Sequence, residues 1–213
     1  MIEKYYNGVI EQVAGGIGNV EHNSILVRYS NDFSIWDLES VNHYKDQTDI
    51  FFTCHEFSYN KIAEAYEPYL GLIRQMFHKY CSGTLEEFME ECDVYKLQRP
   101  VFESYFEKGF CERTEQILID EVEYEQERMR NSIVTMLQKL SEIRPVVIVL
   151  NRFQLASKST MQLSNSLLQV KNKNIGIVLG VNDVQSIPEF AHEEWDAICE
   201  SMDDRNMVYH IGN

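Results

Sequence analysis

The sequence predicts an α/β fold: a three-layer core around a mainly parallel, five-stranded sheet, with an all-helical insertion between the second and third strands. Three observations predict it. Val146 to Leu150 is a run of five apolar residues without polar alternation, which suits a strand buried on both faces of a parallel sheet. Short strand-like runs alternate with helical patterns, which implies crossover connections between parallel strands. Residues 59–143 carry helical periodicity throughout.

Along the chain, Ile2, Tyr5, Tyr6, Val9, Ile10 and Val13 fall at helical spacing and predict a first helix over 2–14, stopped by Gly15, Gly16 and Gly18. Ser24 to Tyr29 reads as the first strand, and a helix follows from about Ile35 to Tyr44. Asp49 to Cys54, rich in aromatic and β-branched residues, is the second strand. Tyr59 to Tyr80 places Ile62, Tyr66, Leu70, Ile73 and Phe77 on one stripe. Thr84-Leu-Glu-Glu87 resembles a capping box, and Pro100 opens a helix containing Phe102, Tyr105 and Phe106. From about Cys111 to Ile143 the apolar residues recur every three or four positions, as in a long helix lying on a sheet. The third strand, Val146–Leu150, leads into a helix around Ser159 to Val170. Ile175 to Val181 is the fourth strand, Glu189 to Met202 is helical, and Met207 to Ile211 is the fifth strand.

The totals fit one domain spanning 1–213, with the helical insertion at about 59–143. An apolar fraction of 44% over 213 residues is enough for a buried core. No run reaches the ~18 apolar residues of a membrane span, and the N-terminus lacks a secretory layout. Five scattered cysteines form no CxxC pair and no zinc pattern, which points to reduced thiols in the cytoplasm. A net charge of −15 argues against gripping a phosphate backbone through this segment, so neither nucleic acid nor membrane is an expected partner.

The segment Ile148-Val-Leu-Asn151-Arg152-Phe153-Gln154-Leu155-Ala156-Ser157-Lys158-Ser159-Thr160 resembles the third-strand region of the STAND signal-transduction ATPases, a branch of the AAA+ P-loop NTPases. Gln154, Ala156, Ser159 and Thr160 fit that family's pattern. Cys54-His-Glu56, Glu67-Pro68-Tyr69-Leu70 and Val178-Leu-Gly-Val-Asn182-Asp183 are similar to three further family segments. By that resemblance Asn182 matches the γ-phosphate-sensing position, and Val208-Tyr-His-Ile211 the strand before a winged-helix lid. The resemblance therefore implies a P-loop-like core, in the N-terminal part of a longer multidomain protein whose lid, repeats and output module lie beyond this chain.

Against that resemblance the chemistry is vacant. A P-loop needs glycines whose N–H groups wrap phosphates, a lysine for the terminal phosphates and a hydroxyl for Mg²⁺. The matching region, Tyr29 to Leu38, has no glycine; Ile35 stands for the lysine and Trp36 for the hydroxyl, while Asp32 would repel phosphate. Asn151 and Arg152 replace the two strand-end acids. Phosphoryl transfer relies on electrostatic stabilisation, so no catalytic residue and no cofactor is expected. The expectation is a pseudo-ATPase domain that regulates or scaffolds a multidomain signalling or transcription-regulator protein. It would work by docking to its lid, to a partner or to another copy as a homo-oligomer. A cleft lined by Tyr29, Phe33 and Trp36 would serve as the packed interface. The alternative is an ATP- and Mg-dependent STAND switch with an atypical loop built from Tyr29, Asp32, Ser34, Ile35 and Trp36.

Other chemistry is weaker. Glu86, Glu87, Glu90, Glu91 and Asp93 read as a solvated helix face rather than a metal or glycosidase site. Cys54 and His55 are neighbours on a strand and point to opposite faces, so they form no nucleophile pair. Glu56 reads as a structural hydrogen-bond partner, and Trp36 and Trp195 as core or rim aromatics.

Overall fold

The computed structural model describes residues 2–19, 23–30, 34–46, 49–61, 63–109, 122–170, 172–183, 186–203 and 208–211. The chain divides into two compact units, one formed by 1–66 with 144–213 and the other by 67–143.

The first unit holds the sheet. Its strands are β1 (Ser24–Tyr29), β2 (Phe51–Glu56), β3 (Val146–Asn151), β4 (Ile175–Asn182) and the short β5 (Val208–Ile211). They lie in the order β2-β3-β4-β1-β5, and every neighbouring pair is parallel. All residues of β3 and β4 are buried, as their unbroken apolar runs require of central strands.

Side-chain alternation assigns the two faces. Ile25, Val27 and Tyr29 of β1 join Val147 and Val149 of β3 and Val178 of β4 in one apolar cluster. Tyr6, Val9, Ile10, Val13 and Ala14 of α1 (Ile2–Gly16) cover that face, with Val41 of α2 (Glu39–Lys45). Gly176 and Gly180 let α1 approach β4 closely. A Cβ on Gly176 would lie 2.6 Å from Val13 Cγ1, and one on Gly180 would strike the Tyr6 hydroxyl. On the other face, Arg28 meets Trp195 and Cys199 of α8 (His192–Asp203), and α8 packs on α7 (Lys158–Gln169). From β1 the chain passes by way of α2 toward one edge; from β3 and β4 it passes by way of α7 and α8 toward the other. Right-handed crossovers in opposite directions need opposite faces, hence the three layers.

The second unit is helical: α3 (Tyr69–Tyr80), α4 (Leu85–Glu91), α5 (Arg99–Lys108) and α6 (Val122–Ile143). Here α3 packs on α6. Phe77 meets Phe88 and Phe106 with ring centroids 5.2 and 5.5 Å apart. The capping box at Thr84 forms in both directions, and Gly109 closes α5 in the left-handed conformation at φ 82°. Buried Gln98 donates to the Glu125 carbonyl and accepts from Ser132 Oγ, tying the start of α5 to α6.

Several expected boundaries move. No helix begins at Tyr59: residues 63–68 are turn and coil, and α3 starts only at Tyr69. Pro68 has no N–H for a helical bond, and Tyr66 sits at φ 60°. The helix expected from Ile35 is interrupted. A 3₁₀ turn over Ile35–Asp37 is followed by extended Leu38 before α2 begins. The 111–121 part of the long helix lies outside the described residues. Among the described residues no helix is long and apolar enough to cross a membrane.

Candidate functional site

Because the strands are parallel, their carboxyl ends share one edge, where open α/β sheets bind ligands. β1, β2, β3 and β4 end there in Tyr29, Glu56, Asn151 and Asn182. Alternation from Val27, Cys54, Val149 and Val178 places all four, with Gly180, on the face covered by α1.

The innermost group is a buried polar knot. Tyr29 Oη donates to Asn151 Oδ1 at 2.8 Å, reaching from β1 to β3 across the intervening β4. Gly180 makes this reach available, because a Cβ there would lie 2.6 Å from Asn151 Oδ1. The Tyr6 hydroxyl fits over the same glycine, and its ring meets Tyr29 edge-on at 6.4 Å. Tyr6 and Asn151 have no exposed surface, and Tyr29 has 1%. Burial pushes the Tyr6 hydroxyl well above its usual pKa, with Tyr29, Glu56 and Cys54 adding to the shift, so it stays a neutral phenol. Asn151 Nδ2 is buried without a hydrogen-bond partner among the described residues.

Around this knot runs a clamp centred on Glu56. Its Oε2 accepts the Ile35 N–H at 3.2 Å, and its Oε1 pairs with Arg152 at 3.4 Å. One carboxylate thereby joins the segment after β1 to the segment after β3. Arg152 adopts the left-handed conformation, φ 53° and ψ 42°, which costs an L-residue about 1–2 kcal/mol and aims its chain out of the strand direction. The Ile35 side chain is completely buried in the apolar cluster. Ser34 caps the 3₁₀ turn by accepting the Trp36 N–H at 3.4 Å. Trp36 itself is 50% exposed. On the far side of Tyr29, its carbonyl accepts the Asp183 N–H at 2.9 Å, and buried Gln154 accepts the Asn182 N–H at 3.3 Å.

The fold therefore gathers Tyr29, Ile35, Asn151, Arg152 and Asn182 at one end of the sheet, as their places in the sequence require. Asp32 and Phe33 lie outside the described residues. Tyr29 lines no open cleft, contrary to expectation: its ring is in the core and its hydroxyl is bonded inward. Trp36 is the exposed member, turned out because Ile35 takes the inward position of the 3₁₀ turn. Two contributors carry no sequence signal. Tyr6 reads as one more residue on an amphipathic stripe, and Gly180 as one more small residue in an apolar strand; only the pairing of β3 with β4 brings them to Asn151.

This arrangement suits holding strands and loops together. A magnesium-bound triphosphate needs free amides, a lysine and metal-anchoring acids. Here the Ile35 and Trp36 amides are already engaged, Ile35 fills the core, and Glu56 faces a guanidinium. Among the described residues, these groups do not supply what that ligand needs. Among the described residues no group of three or more His, Cys, Asp or Glu side chains is placed to hold a metal ion. No protein-family model matches this chain, and no curated protein matches it in sequence.

Proposed function

We propose that this chain is a P-loop NTPase-like core of the STAND type that has lost nucleotide chemistry and acts as a regulatory or scaffolding domain of a cytoplasmic multidomain signalling protein. The sequence resemblance of the three strand-end segments and the parallel, doubly wound sheet support the scaffold. One observation carries the loss of function: Ile35 and Asn151, at the positions of the phosphate-binding lysine and of a magnesium-anchoring acid, are fully buried and built into the protein's own interior. With Glu56 paired with Arg152, the carboxyl end of the sheet offers a triphosphate no compensating cation cluster among the described residues. In this reading the domain works through its surfaces, and its partners are the other domains of the same protein.

Isothermal titration calorimetry with Mg-ATP and with Mg-ADP tests the reading. No binding heat is expected up to about millimolar nucleotide, where a residual affinity would be worth only ~4 kcal/mol. Micromolar binding of either nucleotide would refute it and favour a nucleotide-switched domain.

A further inference from the structure

We draw no further inference here: the strongest candidate, the half-buried Cys199 thiol of α8 at 3.4 Å from the Arg28 guanidinium of β1 and beside Trp195, is a single cysteine with no second observation among the described residues that points to a ligand.

Discussion

Removing a single oxygen, by Tyr29→Phe, tests the buried knot at the carboxyl end of the sheet. The ring keeps its place against Tyr6, so packing is conserved and only the hydroxyl is lost. Asn151 Oδ1 then has no donor, in a side chain with no exposed surface whose Nδ2 already has no partner among the described residues. An orphaned buried polar atom costs about 1–3 kcal/mol, more than the ~1 kcal/mol net worth of the intact bond. For a chain of this size that corresponds to a fall in Tm of about 2–12 °C. Replacing both partners by apolar groups of similar shape, Tyr29→Phe with Asn151→Leu, removes the orphan and should return stability to within about 1 kcal/mol of wild type. Guanidinium unfolding of the wild type, the two single variants and the double variant measures the coupling, which should be about 0.5–3 kcal/mol in favour of the double variant. A silent Tyr29→Phe, or a double variant as unstable as the singles added together, would show that the hydrogen bond does not hold the knot.

Three further outcomes follow from named contacts. Two glycine-to-alanine changes should have opposite signs in chemical denaturation. Gly180→Ala should destabilise by about 1–3 kcal/mol, because its methyl meets Asn151 Oδ1 at 2.6 Å, while Gly71→Ala, which meets only Tyr105 Oη at 3.6 Å inside α3, should stabilise by about 0.5–1 kcal/mol. Burial pushes the Cys92 thiol up to about 12 and the Cys54 thiol up to about 11, so mass spectrometry after iodoacetamide at pH 8 should find both unlabelled in the native protein and labelled after unfolding. Burial alone would raise the Glu194 carboxyl, but hydrogen bonds from Lys158 at 3.0 Å and Gln162 at 2.9 Å outweigh it and hold it below its usual value. A lowered carboxyl stabilises above the unfolded-state pKa of about 4.3 and loses that contribution as pH falls through the folded value. Lys158→Met should therefore lower stability at pH 7 and converge on wild type once the pH falls below the lowered folded-state pKa of Glu194; a difference that persisted at low pH would mean the lysine acts through packing alone.

The central strands were legible because burial on both faces leaves an unbroken apolar run, and β3 and β4 have one. A cap was legible at Thr84, where local chemistry decides the conformation. Local signals misled at two places. Tyr66 continues the apolar spacing of α3, yet its own left-handed conformation and Pro68 keep it out of the helix. Ile35 seemed to open a helix, but its N–H is drawn to Glu56, a partner 21 residues away that no window reveals. The polar knot was half legible. Tyr29 and Asn151 stood out by their positions at strand ends. Tyr6, Gly180 and the bond joining Tyr29 to Asn151 depend on strand order, which spacing along the chain does not encode.

The place of α1 has a practical consequence for anyone trimming this protein. Val9, Ile10 and Val13 are at most 6% exposed and rest on the middle of the sheet rather than its rim. At about 1.5–3 kcal/mol for each such side chain, they account for roughly 5–9 kcal/mol, the scale of an ordinary domain's whole stability. A clone that starts at residue 17 would not be a shorter edition of the same domain. It would bare an oily wall and should go to inclusion bodies, so expression designs should keep this leading segment intact.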